Sequence, residues 1–143
     1  MNARTKLRTL IAGIAGSTAA LASGLALGDG AAPFTVSAPA VAAKAGTPAQ
    51  ATVTIKPGPG YHFNKDYPTS LKLVANPDVD GPAKVDKATG GVKIEESGAS
   101  FDVKLTAKSA GAKKIEGTLS FAVCTATTCD PRKVPVTLTV DAR

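Results

Sequence analysis

Seven short stretches of this chain alternate bulky apolar and polar residues with a period of two. They are PFTVSAP from Pro33, AQATVTIKPG from Ala49, TSLKLVANPD from Thr69, GGVKIEESG from Gly90, SFDVKLTAKSAG from Ser100, KKIEGTLSFAVC from Lys113 and KVPVTLTVDA from Lys133. Successive side chains of a strand point to opposite faces, so this pattern buries one face and solvates the other. Gly and Pro separate the runs at spacings typical of all-β domains, and no stretch offers a helical apolar stripe of useful length. The expected fold is an immunoglobulin-like antiparallel β-sandwich of about seven strands. Aromatic residues make up only 4% of the 143 and tryptophan is absent, so the core must come from Val, Ile, Leu and Ala, which suits a thin, strand-built fold. The Trp and widely spaced cysteine pair of antibody domains are missing, so the pattern implies the architecture alone. The segment APAVAAKAGTP from Ala38 is poor in bulky side chains and reads as a connection between strands.

The first residues differ from the rest. Arg4, Lys6 and Arg8 precede an uncharged Ala/Gly/Leu run, Leu10 to Gly28, which ends in the small residues of a cleavage site before Asp29. Residues 1–28 are expected to be a secretory signal peptide and 29–143 a single exported domain, periplasmic or secreted. The competing reading, an uncleaved anchor, is weakened by the Gly, Ser and Thr that interrupt the run and by the lack of a charged stop-transfer cluster. Cleavage would leave no stable membrane insertion. It would also remove three of seventeen basic groups and none of eleven acidic ones, lowering the net charge from +6 to +3. The remaining lysines are spread singly apart from Lys113-Lys114 and Arg132-Lys133, without the basic, aromatic-interleaved stripes of a nucleic-acid interface.

The chain has two cysteines, Cys124 and Cys129, between its last two strand-like runs. The bulky apolar residues Ile115, Leu119, Phe121 and Val123 occupy odd positions in the first run. Val134, Val136, Leu138 and Val140 occupy even positions in the second. A hairpin placing Cys124 opposite Cys129 also pairs Leu119 with Val134, Gly117 with Val136 and Ile115 with Leu138, so one register satisfies the core on both strands. The same parity turns both cysteines away from the core. Asp130-Pro131 is the exposed point of that argument, because a proline belongs at a strand edge or a bulge, and a bulge would reverse the parity of Cys129. Facing residues of an antiparallel pair lie ~4.5–5.5 Å apart at Cα, so a disulfide is easily formed. As a staple it would contribute about 2 kcal/mol for a loop of roughly six residues, against about 4.7 for a loop of a hundred. The pair is therefore either a structural bridge or a redox couple. Compartment and count favour the first; the short loop, the outward face and the nearby Arg132 and Lys133 favour the second.

Two stretches carry a resemblance. GTLSFAVCTATTCDPRKVPVTLTV, in which a strand runs into a cysteine, a short loop, a second cysteine, a proline and an apolar strand, resembles the amino-terminal periplasmic domain of the thiol:disulfide interchange protein DsbD. VTIKPGPGYHFNKDYPTSLKLV resembles the segment of that family in which a Gly-aromatic-His-type turn follows an early strand. The resemblance spans most of residues 35–141. It implies an immunoglobulin-like sandwich whose cysteines, here Cys124 and Cys129, cycle between dithiol and disulfide. It also implies thioredoxin-like or membrane thiol-disulfide proteins as partners. Tyr61, Phe63 and Tyr67 are the local candidates for the family's aromatic shield, and with His62 they form the candidate binding set. The chain departs from the family in its shorter cysteine spacing and in lacking the electron-transporting membrane domain and the thioredoxin-like domain.

His62 is the only histidine, and its plainer reading is a turn residue. One His and two Cys fall short of a structural zinc set, and a cupredoxin-type copper site would need a second His, so no metal or other cofactor is expected. GPG before Tyr61 lacks the strand and helix context of a phosphate loop and reads as a tight turn. Glu95-Glu96 read as solvated turn charges, and no surrounding signature supports a Cys-His protease.

Overall fold

The longest alternations become the longest strands. In the computed structural model the described residues are 30–143, so the expected signal peptide over 1–28 and its cleavage site lie outside them. Eleven strands follow in order: β1 (Phe34–Ser37), β2 (Val41–Ala43), β3 (Pro48–Pro57), β4 (His62–Phe63), β5 (Ser70–Leu73), β6 (Val79–Asp80), β7 (Lys84–Asp86), β8 (Val92–Glu95), β9 (Gly98–Ala107), β10 (Gly111–Cys124) and β11 (Cys129–Ala142). One sheet runs β1-β3-β9-β6, with β8 also on β9. The other runs β2-β11-β10-β5-β7, with β4 also on β10. The two sheets enclose one apolar core, and the architecture is an immunoglobulin-like β-sandwich.

The expectation of about seven strands needs enlarging. Each of the seven alternating runs is a strand, and β2, β4, β6 and β7 are added. These four have two or three residues each, too few to display a period. APAVAAKAGTP is thus not a bare connection: Val41 and Ala43 pack against the core, and β2 pairs in parallel with Val140 to Ala142 of β11.

Core filling follows the alternation. Val53 and Ile55 of β3, Phe101, Val103 and Leu105 of β9, Leu119 and Phe121 of β10, and Leu138 and Val140 of β11 are all buried. Three of the four phenylalanines gather at one end of the sandwich. Phe34 meets Phe121 edge-on at 4.9 Å between ring centroids, and Phe63 stacks on Phe121 at 5.9 Å. Aromatic pairs of this geometry contribute about 0.5–1.5 kcal/mol beyond the area they bury. They give the cysteine end of the β10–β11 hairpin a firm apolar floor. Gly117, in phase with these core residues, marks a close approach: a β-carbon there would come within 2.8 Å of the Lys72 carbonyl oxygen on β5.

Candidate functional site

The register of β10 and β11 is the one that apolar parity demands. Pairing runs without interruption from Gly111 opposite Ala142, through Ile115 opposite Leu138 and Leu119 opposite Val134, to Cys124 opposite Cys129. Ala122 faces Pro131 within that ladder, so Asp130-Pro131 introduces no bulge. Hydrogen-bond phase explains why the proline is tolerated. The Thr125 amide donates to the Thr128 carbonyl at 2.8 Å, so that pair is hydrogen-bonded and the next, Cys124 with Cys129, is not. Alternation makes Ala122–Pro131 and Thr118–Pro135 non-bonded pairs as well. In agreement, the Ala122 carbonyl accepts the Asn64 amide from the β4 side at 2.9 Å. Both prolines therefore lie where a backbone N–H would point off the sheet, and no ladder bond to β10 is lost.

The cysteines form a disulfide with S–S 2.02 Å and Cα–Cα 4.0 Å. The short Cα separation suits a non-hydrogen-bonded pair, whose side chains approach more closely than those of a bonded pair. Ala126 and Thr127 make the two-residue loop. It contains no glycine; the Thr125 hydroxyl instead accepts the amides of Thr127 at 3.3 Å and Thr128 at 3.1 Å. Threonine in a turn acts here as a backbone substitute.

The two sulfurs are unequally placed. Cys124 is only 3% exposed, although it lies on the outer face, because β4 flanks it on one side and β11 on the other. Cys129 is exposed, because β11 is an edge strand at this level and β2 joins it only at Val140 to Ala142. Parity could orient the pair but could not reveal this asymmetry, which depends on the two-residue β4.

β4 owes its position to GPG. Tyr61 donates its amide to the Gly58 carbonyl at 3.0 Å, with Pro59 and Gly60 central and Gly60 at φ 77°. Proline followed by a residue of positive φ is the signature of a type II turn. The turn delivers His62 directly opposite Cys124 and Phe63 opposite Val123. Opposed residues share a face, so His62, Cys124 and Cys129 form one row across three strands.

His62, Asn64, Lys65, Asp66 and Glu96 line a shallow depression of about 320 Å³ over the cysteines. Lys65 bonds Glu96 at 3.0 Å and, as the first cause, holds that carboxyl below its ordinary range. Asn64 donates from Nδ2 to Cys129 Sγ at 3.8 Å. Glu96 is the solvated turn charge its sequence suggests, exposed in the turn after β8, and its ion pair with Lys65 borders the depression. Asn64 belongs to the site; the legible signal was N-K-D-Y, an Asx turn in which its Oδ1 accepts the amides of Asp66 and Tyr67.

Of the four residues of the candidate binding set, only His62 and Phe63, consecutive on β4, border the depression. His62 is on the cysteine row. Phe63 is 1% exposed and packs in the core, so its side chain presents no binding surface. Tyr61 packs against the same core, and Tyr67 lines a separate depression with Lys84, Asp86 and Lys87. An aromatic shield formed by Tyr61, Phe63 and Tyr67 is thus not what covers this disulfide. Arg132 also departs from expectation. Its parity places it on the inner face, where it pairs with Asp130 and lies 6.0 Å over the Phe34 ring, leaving Lys133 on the cysteine face. Among the described residues no group of three or more His, Cys, Asp or Glu is placed to hold a metal ion.

No family model and no curated protein matches the chain. Among solved structures, murine CRIg is similar over 77% of this chain and 98% of its own, at 12% identity and a TM-score of 0.43. AggA, the major subunit of aggregative adherence fimbriae type I from Escherichia coli, is similar over 78% and 95%, at 7% identity and a TM-score of 0.38. The PapD-like domain 7 of human CEP192 is similar over 98% and 97%, at 6% identity and a TM-score of 0.34.

Proposed function

We propose that this is an exported thiol-disulfide exchange domain in which Cys129 meets the partner and Cys124 resolves. The observation that carries the reading is the asymmetry of the bridge: one sulfur is open at a strand edge, and the other is enclosed beside His62. In the reduced domain, the Cys129 thiolate attacks a disulfide of a thioredoxin-like client. One client sulfur joins Cys129 in a mixed disulfide, and the other departs as a thiolate and takes up a proton. Cys124 then loses its proton and attacks Cys129 Sγ, which closes the intramolecular bond and expels the second client thiolate. The client gains two electrons and the domain loses two. The same steps run in reverse, and the relative reduction potentials set the direction.

A second reading is favoured by a specific observation. The bond closes a hairpin inside a complete sandwich, and a formed disulfide in an immunoglobulin-like fold needs no exchange step to account for it. In that case the domain is a structural or interaction module. The bridge, however, adds only about 2 kcal/mol for so short a loop, which makes stabilisation a weak reason to place a cysteine at an exposed edge.

The experiment is trapping. The reduced domain is mixed with an oxidised thioredoxin-like protein, and mixed disulfides are collected from Cys124→Ser and Cys129→Ser single variants. The relay predicts a trapped complex through Cys129 in Cys124→Ser and far less in Cys129→Ser. Equal, slow trapping no faster than with an unstructured cysteine peptide would remove it.

A further inference from the structure

Asn64 is oriented by its own loop. Its Oδ1 accepts the amides of Asp66 at 3.0 Å and Tyr67 at 3.2 Å, and its backbone amide is bonded to Ala122 at 2.9 Å. A side-chain amide has one accepting arm and one donating arm, and two N–H donors at Oδ1 settle which is which. The donating Nδ2 is thereby turned toward the bridge, 3.8 Å from Cys129 Sγ. Among the described residues no other side chain donates a hydrogen bond to either sulfur.

We infer that Asn64 is a fixed hydrogen-bond donor to the reacting sulfur, holding Nδ2–H ready for the negative charge that gathers on Cys129 whenever its bond to Cys124 or to a client opens. The inference rests on the exchange reading and adds what that reading lacks, a reason beyond exposure for Cys129 to be the sulfur that forms and releases mixed disulfides. A neutral sulfur is a poor acceptor, whereas a thiolate receives a charge-assisted bond, which is shorter and about twice as strong. The donor thus favours the charged state over the disulfide, and because the Asx turn already holds it, no reorientation is needed as the charge forms. The remaining groups around the sulfurs are less directed. Lys65 is engaged by Glu96, Asp66 and His62 border the depression, and Asp130 pairs with Arg132 on the opposite face of the hairpin.

Asn64→Asp separates the donor from the turn. Aspartate retains an acceptor for the amides of residues 66 and 67 but replaces the NH2 group with a carboxylate oxygen. Asn64→Ser also retains a turn acceptor, adds no charge and is too short to reach the sulfur. Each is made in the Cys124→Ser background, where Cys129 is the only thiol, and alkylation by iodoacetamide is followed by mass spectrometry from neutral to alkaline pH. Since the thiolate is the nucleophile, the neutral-pH rate should fall about tenfold in Asn64→Asp, with its pH profile moved upward. A smaller fall, about threefold, is expected in Asn64→Ser, with melting temperatures near that of the parent in both. An Asn64→Ser rate equal to the parent's would overturn the assignment whatever Asn64→Asp shows, because the aspartate charge by itself disfavours the thiolate. Slowed alkylation together with no mixed disulfide trapped from the Asn64 parent would sink the exchange reading while leaving Asn64 as the donor.

Discussion

Reducing the disulfide should weaken the domain only modestly, and the size of the loss follows from the geometry. The cysteines are five residues apart in sequence, so reduction opens a ring of six. The loop-closure model assigns such a ring about 2 kcal/mol at 25 °C. Little else should change, because the ladder from Gly111–Ala142 to Val123–Asp130 and the Phe34, Phe63 and Phe121 cluster do not depend on the bond. Urea unfolding of oxidised and fully reduced protein, followed by circular dichroism, measures the loss directly. With a slope of about 2 kcal/mol per molar, the midpoint should fall by about 1 M urea at unchanged slope. Reduction is preferable to a double substitution, because a serine at the enclosed Cys124 would add the cost of burying a hydroxyl. A loss above about 4 kcal/mol, or a reduced chain unfolded in buffer, would refute the reasoning and make the bridge a structural necessity.

Three further outcomes follow from local geometry. Gly60→Ala places a β-carbon at φ 77° and should cost about 1–2 kcal/mol in urea unfolding; no loss would contradict the type II turn that delivers His62. Thr125→Ala removes the acceptor for two loop amides and should cost about 1 kcal/mol, with faster hydrogen exchange confined to the hairpin tip. Asp86 is held down to about 2 from an ordinary 3.8, first by its hydrogen bond to Lys84 and then by the Thr89 amide. Its folded value is below its unfolded one, so its contribution is present above about pH 4 and is lost as the pH falls toward 2. Melting curves of wild type and Asp86→Asn across that window should converge at its acid end, and parallel curves would contradict the shift.

What the chain discloses before folding is set by how long each element is. The β10–β11 register was legible because two strands of 14 residues carry enough alternating side chains that a one-residue slip would turn every apolar group outward. Proline at 131 looked like a possible bulge because sequence shows a missing N–H but not which way that N–H would have pointed. Only the hydrogen-bond phase, anchored by Thr125 and Thr128, resolves it. β4 was hidden for the opposite reason. His62 and Phe63 follow a turn and have no period, and their strand exists because β10 offers free backbone groups beside Cys124. With β4 unseen, the burial of Cys124, the inward turn of Phe63 and the placing of Asn64 against Cys129 were all out of reach. Arg132 neighbours Lys133 in sequence but not in space, because one residue along a strand is the other face of the sheet.

The central claim is that the Cys124–Cys129 bond is exchanged rather than kept, and its reduction potential tests this most directly. Equilibration of the domain with glutathione or dithiothreitol redox buffers, with thiols counted after acid quenching, gives that potential. Exchange requires a value above about −300 mV, in the range where thioredoxin-like proteins can trade electrons with the domain. A value below about −300 mV, where structural disulfides of secreted proteins lie, would contradict it and leave the bond as a hairpin staple.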